Sequence, residues 1–529
     1  MTYTKPIFLV LFLPLVVIAY NLIPQKHRWK VLLIASYIFF WSISGKLLIY
    51  LLVTTGLIYS CGLWLNKIQN DRNEEIKNAD KSQKKIIKQK YVKKQRIILV
   101  LNSLVLLGMI VVLKYSKFLG TNINSLFQIM NLPIQMPIPS FIMPIGISFY
   151  TLQAISYIID VYKEKIKADR NIGRLALFIS FFPQIMEGPI CRYEETANSL
   201  YEGKKTTYKG LTFGVQRILF GLMKKIIIVD RINPLILEIF NNYSNYDGGI
   251  MAVGMILYTL QLYMDFSGVM DIVIGIGEIF GVKMPENFRQ PFFSKTISEF
   301  WTRWHITLGA WFRDYIYYPV CLTDKCKKLT SWGRKKIGNY YGPLLASSIA
   351  LFCVWICNGL WHGSAWSYIF FGMYHFVLIL LGRIIEPLVK KINNKLHIDN
   401  KNFLYIIMQM VRTTILVFVG ELFFRAKGLK AGIDMFTNMV SNFSLEQITN
   451  GTVLKLGVDI HDFIIIAITV LVIFVISVLK ERGINIRESI SKKNIVIRWG
   501  LYYALIISII VFGSYGLGIV PLDPMYANF

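Results

Sequence analysis

Residues 300–319 read Phe-Trp-Thr-Arg-Trp-His-Ile-Thr-Leu-Gly-Ala-Trp-Phe-Arg-Asp-Tyr-Ile-Tyr-Tyr-Pro. Just upstream, 258–268 read Tyr-Thr-Leu-Gln-Leu-Tyr-Met-Asp-Phe-Ser-Gly and 285–292 read Pro-Glu-Asn-Phe-Arg-Gln-Pro-Phe. Aromatic, charged and amide residues interleave here at high density. The region cannot face lipid, because Asp265, Arg303, His305, Arg313 and Asp314 would each be expensive in hydrocarbon. It is too apolar for a free loop. The economical solution is a set of short, tilted helices inside a protein-lined, partly wet cavity. Polar residues at such depth are functional candidates.

Working outward, the chain has 529 residues, 54% hydrophobic and only 17% charged. Soluble chains carry about 25% charged residues, and a soluble chain of this length divides into domains joined by polar linkers. Instead, apolar runs recur at 6–23, 31–43, 46–64, 97–114, 139–160, 174–187, 211–229, 249–264, 268–282, 341–361, 364–382, 404–424, 462–479 and 499–519. A bilayer-crossing helix needs about 20 such residues. The fold class is therefore an all-α polytopic membrane protein. We expect a single membrane domain over 1–529, with N-terminal helices in 1–115, a core at about 140–426, helices at 462–519 and a tail at 520–529. The lipid bilayer is its first partner.

A net charge of +27 raises the question of nucleic acid. A nucleic-acid binder clusters its cations on a polar domain, whereas here they fill short blocks between apolar runs, as cytoplasmic loops do. No nucleic-acid partner is expected. Segment 66–96 holds eleven Lys or Arg against four acids and should be cytoplasmic, as a charged loop or an amphipathic surface helix. Further basic blocks at 26–30, 325–336, 390–401 and 480–498 follow the same rule, which puts both termini outside.

A second polar concentration is Cys357-Asn358-Gly359-Leu360-Trp361-His362-Gly363-Ser364-Ala365-Trp366, between two apolar runs. Flanking glycines let the backbone approach another group closely. The rival reading is a helix–helix turn in which His362 is an interfacial hydrogen-bonder. Of six histidines, His27, His397 and His461 lie in or beside loops; His305, His362 and His375 remain at membrane depth. His375, inside an apolar helix, reads as a bundle histidine. No carboxylate cluster sits at metal-ligand spacing, and no Gly-x-Ser-x-Gly elbow, phosphate loop or dinucleotide fingerprint occurs. We expect no metal and no bound cofactor. What remains is acid–base chemistry by one or two neutral histidines on a substrate entering a membrane cavity.

Several blocks in order carry a resemblance: Met143–Tyr150, Phe182-Pro183-Gln184 with Gly188-Pro189, Asp265–Gly268, Pro285–Phe288, Phe300–His305, Arg313-Asp314-Tyr315, Gly359–Gly363 and Phe423–Ala426. Together they resemble the membrane-bound O-acyltransferase (MBOAT) family in its bacterial branch, of the alginate O-acetyltransferase and teichoic-acid D-alanyl transferase kinds. The resemblance implies a ring of tilted helices around a central funnel, with a thioester donor arriving from the cytoplasm. It implies His362 as the main catalytic histidine and His305 as the second. Asp265, Arg303, Asp314, Asn358 and Trp361 would line or support the funnel. Asn358 departs from the small residue expected there. The implied donor is acetyl-CoA or an acyl carrier protein thioester. The implied partners are an extracellular SGNH-type esterase and polymer synthase machinery, at a bacterial cytoplasmic membrane.

The ending Pro521-Leu522-Asp523-Pro524-Met525-Tyr526-Ala527-Asn528-Phe529 resembles the aromatic Phe-Ile-Tyr-Phe-x-Phe ending of bacterial relatives, although Met525 and Ala527 depart from it. That likeness implies Tyr526 as an acyl relay. The reading from another class is a proton-coupled transporter or flippase, whose histidines would relay protons. No matched pair of broken helices favours it.

Overall fold

The structure, a computed structural model, describes residues 2–515 and Leu522. Regular structure among the described residues is helical, apart from one antiparallel bridge between Phe288 and Trp304. Eight helical stretches among them are long and apolar enough to cross a bilayer. The chain groups into two compact units, Met1–Val215 with Val273–Pro285, and Gln216–Ile272 with Glu286–Phe529.

In the first unit the chain runs through α1 (Leu13–Leu22), α2 (Arg28–Ser44), α3 (Leu48–Lys77), α4 (Lys81–Ile110), α5 (Ser116–Ile129), α6 (Ile147–Tyr162), α7 (Ile172–Ser180) and α8 (Tyr193–Glu202). The basic segment 66–96 is helical rather than looped: α3 and α4 pack together with only residues 78–80 between them. Ile87 is buried among the lysines, which gives this part of α4 the amphipathic character expected. At the end of α3, Arg72 pairs with Glu164 at 2.6 Å and holds that carboxyl below its ordinary range. The core is aromatic. Tyr3 stacks on Phe39 at 5.4 Å, Phe8 meets both edge-on at 5.5 Å, Phe182 meets Phe8 at 6.3 Å and Phe39 at 6.0 Å, and the Tyr3 hydroxyl donates to the Phe182 carbonyl at 2.8 Å.

Two expected spans are shorter than the apolar runs. The run 139–160 becomes helical only at Ile147, because Pro133, Pro137, Pro139 and Pro144 keep the preceding stretch extended. The run 174–187 stops at Ser180, ahead of Pro183, and continues as buried irregular chain.

Unit boundaries fall inside two helices, α9 (Tyr208–Leu222) and α11 (Gly248–Ile279), and the second unit holds their parts from 216 to 272 with a π-helical stretch Met223–Val229 and α10 (Asp230–Asn241) between them. Short helices follow, α12 (Ile297–Arg303), α13 (Ile306–Phe312), a π-helical turn Arg313–Tyr317 and α14 (Tyr318–Cys321). Long ones then return: α15 (Asp324–His362, broken at Gly338), α16 (Trp366–Lys395) and α17 (Phe403–Arg425). The chain continues with α18 (Leu429–Ser441), α19 (Glu446–Thr449), α20 (Ile460–Glu481), α21 (Ile486–Ser491) and α22 (Ile495–Phe512).

The expected spans 249–264 and 268–282 are one helix, α11, and the interruption at Asp265-Phe-Ser-Gly is not a break. Lys225 meets Asp265 at 2.8 Å, so the helix carries the acid without unwinding. Gly268 is a crossing point: a Cβ there would lie 3.0 Å from the Gly221 carbonyl. The final span ends at Phe512, seven residues earlier than the apolar run suggested.

Candidate active site

His362 is the last residue of α15, and only residues 363–365 separate it from α16. The two helices touch backbone to backbone, since a Cβ on Gly359 would lie 2.5 Å from the Tyr368 carbonyl. That contact explains the Gly-Leu-Trp-His-Gly sequence and fixes the ring by packing. His362 is 5% exposed and meets three aromatic rings edge-on: Trp361 at 4.9 Å, Phe424 at 5.1 Å and Phe371 at 6.0 Å.

His305 is placed by other means. It joins α12 to α13 in the left-handed conformation, with φ 46°, a backbone state that costs about 1–3 kcal/mol for a residue other than glycine. Asn287 offsets that strain. Its carbonyl oxygen Oδ1 accepts from the Thr307 N–H at 3.1 Å and the Thr307 hydroxyl at 2.9 Å, and lies 3.2 Å from His305 Nδ1. A backbone N–H can only donate, so the atom facing this group is the amide oxygen. His305 Nδ1 must then carry the proton. Its other nitrogen, Nε2, keeps a lone pair, which is the tautomer a general base requires. Main-chain bonds from Ile306 to Asn287 and from Arg289 to Arg303 complete the clasp.

A cavity of about 280 Å³ opens beside this clasp, lined by Trp301, Trp304, His305, Trp355, Asn358 and Arg383 among others. Asn358 is one helical turn before His362, and Trp361 packs 5.5 Å from His305. The sequence-flagged residues His305, Asn358, Trp361 and His362 are thus brought together, with Trp361 touching both histidines. Such a site can hold a substrate arm against the Trp301 and Trp355 rings beside a base.

The other flagged residues lie elsewhere in the unit. Arg303 pairs with Glu299 at 2.8 Å and Glu481 at 2.9 Å, tying α12 to α20. Asp314 is 41% exposed and pairs at 3.2 Å with its neighbour Arg313, which itself lines the cavity. Asp265 is fully buried with Lys225. His375 accepts from the Trp301 indole N–H at 3.3 Å and stacks on Trp355, so it supports the cavity wall. Tyr526 lies outside the described residues.

Sequence reading assigned no role to Asn287 or Lys225. Asn287 sat in a quoted block without any cue to its partners. Lys225 did leave a signal: a Lys-Lys pair inside the apolar run 211–229 demands an acid at the same depth. The π-helical stretch turns both lysines inward, Lys224 onto Asp271 at 2.7 Å and Lys225 onto Asp265.

Comparison with known proteins adds the following. The profile of the MBOAT, membrane-bound O-acyltransferase family, matches residues 79–333. The chain is 30% identical over 478 residues to the "Probable alginate O-acetylase AlgI" of Pseudomonas aeruginosa, covering 88% of this chain and 81% of that protein. It is 26% identical over 478 residues to the "Peptidoglycan O-acetyltransferase" of Helicobacter pylori, covering 83% and 79%. A third similarity, 33% over 251 residues, is to the "Teichoic acid D-alanyltransferase" of Bacillus subtilis, covering 47% and 60%.

Proposed function

The chain belongs to the membrane-bound O-acyltransferase family, and from that premise we propose that this multi-pass membrane enzyme takes an acetyl group from a cytoplasmic thioester for O-acetylation of a cell-surface polysaccharide. The observation that carries the reading is the pair of buried histidines on either side of Trp361, with a largely apolar cavity lined by His305 beside them. The names of the similar proteins, alginate and peptidoglycan O-acetylating enzymes, support the acetyl group and the polymer class.

In this reading acetyl-CoA is the donor, and its thioester arm lies along Trp301 and Trp355. His362 takes the proton of an acceptor hydroxyl as that oxygen attacks the thioester carbonyl. The C–S bond breaks, the thiolate leaves, and the proton on His362 passes to the sulfur. His305, with Nε2 unprotonated, orients the reacting groups and shares the base role. The acceptor is Tyr526: its phenol becomes an acetyl ester, which an extracellular SGNH-type esterase moves to a polymer hydroxyl, restoring the free phenol. Polymer synthase machinery supplies that polymer. The basic segments face the cytoplasm of a bacterial cell and both termini face outward.

A second reading has a specific observation behind it. Similarity to a teichoic acid D-alanyltransferase keeps a carrier-protein thioester and a D-alanyl group in view. Purified protein incubated with labelled acetyl-CoA separates the two: label on Tyr526, found by mass spectrometry with a catalytically dead esterase partner, supports acetyl transfer and the relay. Tyr526→Phe should then eliminate polymer acetylation. Full acetylation by that variant contradicts the relay.

A further inference from the structure

A buried charge cluster in the second unit has no part in the histidine chemistry. Lys225 Nζ lies 2.8 Å from Asp265 Oδ1 and 3.5 Å from Asp230 Oδ1. The three side chains are 2%, 0% and 7% exposed. Packed apolar residues would hold helices together as well or better than buried charges do, so stability alone is a weak account of this cluster. Another use is visible. Lys225 Nζ donates to the Leu522 carbonyl at 2.8 Å, and the Leu522 N–H donates to Asp230 Oδ1 at 3.1 Å. The cluster therefore grips one peptide of the C-terminal segment by its donor and its acceptor together. It reads backbone, not side chain.

The end of α22 is fastened to the same stretch: Arg231 donates to the Phe512 carbonyl at 2.7 Å, and the Ser514 N–H to the Ile226 carbonyl at 3.0 Å. Leu522 contacts residues 225 and 230 of the same stretch. The contact lies beside Asp265, near the middle of the 32-residue helix α11. Seven residues earlier on the same face of α11, Tyr258 lies under the Arg425 guanidinium at 6.0 Å. Phe424, next in sequence to Arg425, packs on His362.

We infer that Lys225, Asp230 and Asp265 form a seat for the C-terminal segment, gripping the peptide of Leu522 by its donor and its acceptor. The inference rests on the relay reading above for its purpose, though not for its geometry. From 522, four residues reach at most about 14 Å, so a seat here sets where residue 526 can act. The three side chains are positioning residues.

The test is carboxypeptidase trimming of the purified full-length protein, followed by intact mass, in four forms. Leu522→Ala keeps the peptide donor and should be trimmed at the wild-type rate. Leu522→Pro removes the N–H given to Asp230, its loss of the leucine side chain being matched by the Ala form, and should be trimmed about tenfold faster, since losing one charge-assisted hydrogen bond raises the released population by about that factor. Lys225→Met should be trimmed faster still. Leu522→Pro alters no residue of the helical core, so it stands even if the Lys225 variant fails to fold. Trimming of Leu522→Pro at the wild-type rate overturns the seat. The relay fails separately: if Tyr526→Phe acetylates polymer fully while Leu522→Pro is still released, the seat stands and the acceptor is some other hydroxyl.

Discussion

His362 and His305 meet the same tryptophan but are held by opposite means. His362 ends a long apolar helix whose glycines press against the next helix, and no strained backbone is needed. His305 sits between two seven-residue helices in a left-handed conformation that three contacts to one buried amide maintain. Packing places the first and hydrogen bonding places the second. Packing resists small changes and fails when volume is added; a hydrogen-bonded clasp fails when a single acceptor is removed.

Adding volume at the packed histidine should therefore have the largest effect. Gly359→Val must push α15 and α16 apart at the Tyr368 carbonyl, and we expect it to lower acyl transfer by about 1000-fold and to destabilise the protein by about 3 kcal/mol. Thermal unfolding in detergent alongside a thiol-release assay reads both. Normal stability in that variant would break the packing half of the comparison. His305→Ala comes next, at about 100-fold loss, the scale of one acid–base group. Asn287→Ala leaves the imidazole present but unclasped, with the Thr307 N–H, the Thr307 hydroxyl and His305 Nδ1 deprived of their shared acceptor, and about tenfold loss of turnover is expected from the imidazole's lost orientation. If Asn287→Ala were as damaging as His305→Ala, the clasp would be more than a support.

His375→Ala should have the smallest catalytic effect, within about threefold of wild type, with a stability loss of about 2 kcal/mol from the unpaired Trp301 N–H and the lost ring. A large fall in turnover with unchanged stability would move His375 into the chemistry.

The same contrast explains what could be read from sequence. The α15–α16 turn was legible, because glycines beside a histidine between apolar runs have few meanings. The short helices from 297 to 317 were legible too, since charges at that density exclude a lipid-facing span. The role of Asn287 was not, because it depends on the backbone angle of a residue 18 positions later and on a threonine beyond it. Asp265 was legible as a buried acid, but its partner lies 40 residues away on a π-helical stretch whose register no periodicity announces. Without that partner the acid read as a helix break, and one helix was divided into two. Asp314 pairs with its sequence neighbour Arg313 in the π-helical turn at 313–317, a register that no periodicity announces.

We propose His362 as the base for acyl transfer. Its most direct test is the rate of free thiol release from acetyl-CoA by purified His362→Ala, with an unfolding midpoint equal to that of wild type as the control. The account predicts a rate below about a thousandth of wild type at every pH tested. A rate above about a tenth, equivalent to less than about 1.4 kcal/mol of barrier, would contradict it.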